Sequence, residues 1–355
     1  MRGGTILGSL LGALIISSVG NLFIPLGIPD FLSNSIDAGW LLIGFSLCSL
    51  AERGRLLDLF AKPSREISAD PWVTGLSLLS PIALLAFNLR PASSDLATLA
   101  AGIALLGVGQ AAVLRIGTID LSMPGLISFS STAVVALSQY SDASLPYVLG
   151  GLMLVAIGIG FTHTWLAKHL GCATIAATLA TSGIAQAAAA GFLVLSPAGY
   201  APPSLMAWAT VRWLGLPPVA WVMSGAALAI AALLNERSHR ALGFFASAAD
   251  SVIFGVVVAA LSGSVHYTAI DTYALPALAA ALLAKGGLQQ RSGPLSLAIP
   301  IAYAVVLLDT ALLSENFGYA GRVLVLALAM ICGEGLRVAL KTRKVPERSE
   351  SLGVG

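Results

Sequence analysis

Charge is what this sequence has least of. Asp, Glu, Lys and Arg make up 10% of its 355 residues, against about 25% in soluble domains. So little charge cannot cover the surface of a soluble protein of this length. Histidine is rarer still, with four residues, and no paired acid clusters accompany them. The chain therefore offers no metal set and no nucleophile–base constellation, which disfavours a membrane enzyme, and no catalytic residue is expected. Cys48, Cys172 and Cys332 lie far apart in apolar segments, and read as buried core rather than a disulfide or metal set. No glycine loop with Lys and Ser/Thr is present, so the chain is not expected to bind ATP itself. Residues 1–24 lack a clear small-residue cleavage site, so no cleaved signal peptide is expected. The net charge of +2 carries no message about an acidic partner, and no nucleic acid is expected.

What is abundant is apolar length. Hydrophobic residues make up 57% of the chain, and mean hydropathy is +0.89. The apolar segments are continuous rather than alternating, which excludes a β-barrel pattern. The reading is an all-α polytopic membrane protein with about 10–12 crossings. Spans are expected over 6–24, 39–51, 72–89, 96–114, 119–139, 147–166, 172–195, 216–234, 251–270, 295–313 and 323–340. Residues 275–285 form an apolar run shorter than the roughly 20 residues a straight crossing needs. They read as a short or broken helix buried among its neighbours. Alternating the spans from a cytoplasmic N-terminus puts all but Arg90, Arg212 and Arg322 of the 19 Lys and Arg inside. Both termini are thereby expected in the cytoplasm.

The stretch 114–138, LRIGTIDLSMPGLISFSSTAVVALS, organises the chain. Asp120 stands just before an apolar run. A helix N-cap is the favoured reading, with Pro124 in the first turn, and a direct solute or ion ligand the alternative. Gly125, Ser128 and Thr132 fall at i, i+3, i+7, which puts small and hydroxylic residues on one helix face. Such a face suits close packing or a polar pathway.

GTIDLSMPGLISFSS resembles the GGIDLSVGS-type signature of bacterial sugar importer permeases, the ribose-type branch of the ABC (ATP-driven) transport family. Thr118 departs from a usual Gly, and Pro124 stands where Gly is usual. A second similarity is TLATSGIAQAAAAG, with Thr178, Leu179, Ile184 and Ala185. Gln186 replaces a frequent Arg there, and Ala180 a frequent Gly. By its residues alone this run is equally a small-residue packing helix. A third is Ala241, Leu242, Gly243, Phe244, Phe245, Ala246, Ser247, Ala248 and Ala249, similar to the family's cytoplasmic coupling helix. Phe245 replaces the common Asn. A short helix with paired Phe can insert into a partner's groove, or lie in the membrane interface. A fourth is the short element, with Leu275, Ala279, Ala280, Gly286 and Gly287.

The resemblance covers 72–343 and implies a permease subunit that imports a sugar or sugar-like solute by alternating access. The partners it implies are a second permease subunit (a heterodimer favoured over a homodimer), ATPase subunits that bind ATP and magnesium, and a periplasmic or lipid-anchored solute-binding protein. It implies a multi-pass place in the bacterial inner membrane. Candidates for the signature and translocation path are Asp120, Ser122, Gly125, Ser128, Thr132, Thr178, Gln186 and Asp309. A transporter driven by an ion gradient is the alternative, resting on the membrane carboxylates Asp120, Asp309 and Glu334.

Four parts follow: a hairpin over 1–55, a cytoplasmic linker over 56–71, a permease core over 72–343 with its coupling helix at 241–250, and a tail over 344–355. The hairpin looks like the chain's own 291–344, with Asn21 matching Asp309. It either completes a neighbouring permease or is an ordinary extra helix pair. The loop 196–215, bearing Tyr200, Trp208 and Trp213, suits the outer membrane interface, with or without a docking role. His239, His266 and Asp271 read as loop residues.

Overall fold

A computed structural model describes residues 93–170, 174–195, 199–236, 240–264, 271–285 and 294–343. The hairpin over 1–55, the linker over 56–71, the span over 72–89 and the tail over 344–355 lie outside the described residues. So do His239, His266, Gly286 and Gly287.

The described residues fold into helices, with no strand among them. In order these are α1 (Ser93–Arg115), α2 (Met123–Ser138), α3 (Leu145–Leu170), α4 (Thr174–Leu195), α5 (Pro203–Thr210), α6 (Pro218–Glu236), α7 (Arg240–Ser262) and α8 (Asp271–Lys285). A 3-10 turn, Leu295–Leu297, leads into α9 (Ala298–Ser314), and α10 (Tyr319–Arg343) closes the bundle. Six helical segments are long and apolar enough to cross a membrane: 96–115, 145–169, 174–194, 218–235, 242–262 and 295–314. Residues 123–138, 273–284 and 319–331 are shorter apolar helices. The chain is thus an all-α bundle with the composition of a polytopic membrane protein.

Helix α1 is the axis of the bundle. Some 89% of its apolar window is buried, and α6, α7, α8 and α9 pack around it. Its inward residues are small, and that lets neighbours come close. A Cβ on Gly102 would lie 2.0 Å from the Phe254 ring, and one on Gly107 would lie 3.3 Å from the Ala280 side chain. The short α8 carries Pro276 and packs against α1, α9 and α10. It is the short buried element expected from its length. Helix α3 is peripheral: only 17% of its apolar window is covered, and Tyr147, Leu154 and Phe161 face outward.

Contacts sort the helix ends into two groups. At one end Arg115 donates to the Leu234 carbonyl (3.2 Å) and to Asn235 Oδ1 (2.7 Å), and Asn235 Oδ1 also accepts from the Leu295 amide (3.1 Å). The C-termini of α1 and α6 and the start of α9 therefore meet. At the other end Asp142 Oδ1 accepts from the amide (3.0 Å) and hydroxyl (2.6 Å) of Ser204, and Tyr200 bridges to Ser264. Tyr140, Tyr147, Tyr200, Trp208 and Trp213 are exposed there, and Phe161 and Trp165 are exposed towards the first end. Arg115, Lys168 and the start of α7 fall at the first end, and Arg212 and Arg322 at the second.

Three elements differ from expectation. The span expected over 119–139 is helical only over 123–138, too short for a straight crossing, because residues 119–122 stay in the loop held by Asp120 and Thr178. Residues 241–249 do not form a separate short helix. They are the opening turns of α7, a single 23-residue helix. The expected span over 251–270 begins ten residues too late, because Ser247, Asp250 and Ser251 weaken the apolar signal, yet all three are buried. The loop 196–215 contains the short helix α5, started by Pro203 and held from outside by Asp142.

Candidate functional site

The loop between α1 and α2 runs inward at its end, where Asp120 and Ser122 are buried, and polar residues of the neighbouring helices gather around these two. Asp120 is 1% exposed. Its Oδ1 accepts from the amide (2.9 Å) and hydroxyl (2.6 Å) of Ser122, while Oδ2 has no protein partner. Ser122 is the residue that precedes α2, and it makes no side-chain cap. Asp120 is therefore not the helix cap expected from the sequence. It folds the loop one step earlier, by holding Ser122.

The capping comes instead from α4. The Leu121 amide donates to Thr178 Oγ1 (3.0 Å), and the Gly125 amide to Ser182 Oγ (3.0 Å). The two bonds share one sequence offset, 57 residues. The start of α2 thus lies alongside α4, running the same way. Pro124 has no amide hydrogen to satisfy, and the Leu126 amide returns to the Ser122 carbonyl (3.0 Å). Gly125 is required by this contact: a Cβ there would sit 2.3 Å from the Ser182 carbonyl oxygen.

From α1, Gln110 Nε2 donates to the Asp120 carbonyl (2.9 Å) and reaches Ser247 Oγ on α7 (3.5 Å). Gln110 is fully buried, and its Oε1 has no protein partner. From α3, His163 is fully buried, with Nε2 3.0 Å from Thr181 Oγ1 on α4. Thr181 already donates to the Ala177 carbonyl (2.9 Å). Nε2 is therefore the donor, and Nδ1 is left without a protein partner. The His163 ring stands edge-on to Phe244 of α7, with centroids 5.8 Å apart.

The expected site residues fall as follows. Asp120, Ser122, Gly125 and Thr178 are brought together. Ser128 and Thr132 are buried on α2, but Thr132 Oγ1 bonds the Ser128 carbonyl of its own helix. Neighbouring Ser130 Oγ bonds the Leu126 carbonyl (2.7 Å) and lies where a Cβ on Gly255 would be, at 2.0 Å. Ser130 lies on the side of α2 opposite Gly125, Ser128 and Thr132, so it is the Ser130 side that makes the close crossing with α7, while Gly125 faces α4. Gln186 is half-buried, two turns beyond Thr178 on α4. Asp309 is remote from the loop, at the other end of the bundle, where it pairs with Arg322 at 2.6 Å.

In the 241–249 stretch, Gly243 and Phe244 are buried, as are Ser247 and Ala248. Leu242, Phe245, Ala246 and Ala249 are half-buried, and the side chain of Ala241 lies outside the described residues. Phe245 packs where a Cβ on Gly160 would lie, 2.7 Å from its ring. Both Phe rings are thus used inside the bundle rather than presented to a groove.

Gln110, His163 and Asp250 were not singled out from the sequence. Asp250 is fully buried, and neither of its oxygens has a protein partner. A polar residue in an otherwise apolar span was the available signal, and Gln110 satisfied it. Among the described residues no group of three or more His, Cys, Asp or Glu is placed to hold a metal ion. Compared with protein-family models, with curated proteins and with solved structures, the chain matches none at significant similarity.

Proposed function

We propose that this chain is the membrane-spanning subunit of an ATP-driven importer for a sugar or sugar-like solute, working by alternating access beside partner ATPases, a second permease and a solute-binding protein in a bacterial cytoplasmic membrane. One observation carries the reading. The two stretches whose sequences most resemble such permeases, IDLSMPG and TLATSG, pair through the Leu121–Thr178 and Gly125–Ser182 bonds. Independent packing helices have no reason to put both there.

A mechanical route also supports it. Ser247, in the stretch that resembles a coupling helix, lies against Gln110, and Gln110 holds the Asp120 carbonyl. Gly243 of the same stretch sits against α1, where a Cβ would lie 3.2 Å from the Ala112 carbonyl oxygen. Movement at the 240 end of α7 therefore reaches the buried loop through two contacts. In this reading the chain performs no covalent step. The buried hydroxyls and Asp120 line or shape the path, and the partner ATPases supply the energy.

A second reading, transport driven by an ion gradient, is favoured by the unpartnered carboxyl oxygens of Asp120 and Asp250 inside the bundle. Purification of the tagged full chain from its native membrane separates the two. The importer reading expects a Walker-loop ATPase to co-purify in stoichiometric amount, with vanadate-sensitive hydrolysis. Recovery of the chain with no nucleotide-hydrolysing partner would overturn it.

A further inference from the structure

We propose that Asp250 and Gln110 form a proton-binding site at the contact of α7 with α1, in which Asp250 is a carboxylic acid that donates to Gln110 Oε1. Asp250 lies within the apolar 242–262 segment, about 12 Å from its start. Neither carboxyl oxygen has a protein partner. Oδ2 lies against the bare Cα of Gly109, 2.6 Å from where a Cβ would be. The next residue on α1, Gln110, is equally buried, and its Oε1 is also unpartnered. Its Nε2 reaches Ser247, one turn before Asp250 on the same face of α7. The α1–α7 contact thus holds two buried acceptor groups, Gln110 Oε1 and the Asp250 carboxyl, neither of which has a donor.

An ionised carboxylate there loses its hydration and gains no hydrogen bond, a cost of several kcal/mol. A protonated carboxyl supplies the missing donor. Among the described residues no cation is in hydrogen-bonding contact with Asp250, and Lys168 and His169 of α3 lie in that helix's last turn, about three turns beyond the level of Asp250. Arg115 of α1 is engaged at the α6 terminus with Leu234 and Asn235. His163 of α3 directs its Nε2 to Thr181, and Asp120 has the same sign as Asp250. Tyr273 of α8 stands edge-on to Phe254. Helices α2 and α5 contain no titratable residue, and α6 has none before Glu236. The close fit at Gly109 leaves no room on that side for a hydrated ion, whereas a proton needs none. The inference rests on the packing of α1 and α7 and is independent of the import reading.

Infrared spectroscopy of the full chain in lipid, with aspartate labelled by ¹³C at the side-chain carboxyl, tests the site. A carbonyl band of a protonated acid is expected in neutral buffer, lost in Asp250→Asn. In Gln110→Leu the band is expected to persist at higher frequency, because the acid has lost its acceptor. That variant keeps Asp250 and decides the question even where Asp250→Asn folds poorly. Absence of the band in the wild type, its persistence in Asp250→Asn, an unshifted band in Gln110→Leu, or carboxylate bands that move on adding sodium would each overturn the proposal.

Discussion

At the scale of single residues, the loop at Asp120 separates charge from geometry. Asp120 Oδ1 holds Ser122 twice, and an asparagine oxygen can do the same. Asp120→Asn is expected to melt close to the wild type in detergent, and Asp120→Ala to lose about 1–2 kcal/mol. Equal losses in both would mean that the negative charge, not the acceptor, organises the loop. Glycines give a second contrast. Gly125→Ala drives a methyl into the Ser182 backbone and is expected to cost about 1–3 kcal/mol. Gly158→Ala, with open space around it, is expected to be neutral or slightly stabilising. Matched melting temperatures for the two would contradict the close approach of α2 to α4. Asp120 was visible in the sequence as a carboxylate heading an apolar run, but its role was not. Capping was inferred from proximity along the chain, whereas the groups that satisfy α2 come from 57 residues away. A single sequence does not reveal that kind of pairing.

At the scale of elements, the start of α2 depends on α4. Thr178→Val and Ser182→Ala each leave one buried amide without an acceptor, a loss of about 1–3 kcal/mol. Hydrogen exchange at the Leu121 and Gly125 amides should quicken in the matching variant, and unchanged protection would contradict the assignment. The pair joining α9 to α10 is different in kind. Asp309 and Arg322 are only partly covered, with side chains 31% and 19% exposed, so Asp309→Asn should change stability by about 0–1 kcal/mol. Loss of transport by a stably folded Asp309→Asn would return Asp309 to the path. Helix lengths were largely legible in α1, α3, α4 and α6, because 18-residue stretches of high mean hydropathy and few charges stand out there despite single polar residues. Helix α7 was misplaced for a physical reason. Its first half carries Ser247, Asp250 and Ser251, whose polarity suits a separate short cytoplasmic helix, the reading given by resemblance, until Gln110 and Gly109 are known to face them.

At the scale of the whole molecule, four of the ten described helices, α6 to α9, pack around α1, and the others join the bundle through them. The expected alternation of spans rests on charge placement, because the positive-inside bias acts on loops rather than on packing. The proposed function rests on resemblance, since in a transporter of that kind few residues of the membrane subunit would set what is moved and what drives it. The energy source is the central claim, and uptake tests it. In right-side-out vesicles of the native membrane, with the solute retained by the co-purifying binding protein as the probe, uptake should stop when internal ATP is removed and continue when a protonophore collapses the ion gradient. Uptake that survives ATP removal and stops with the protonophore would contradict the account.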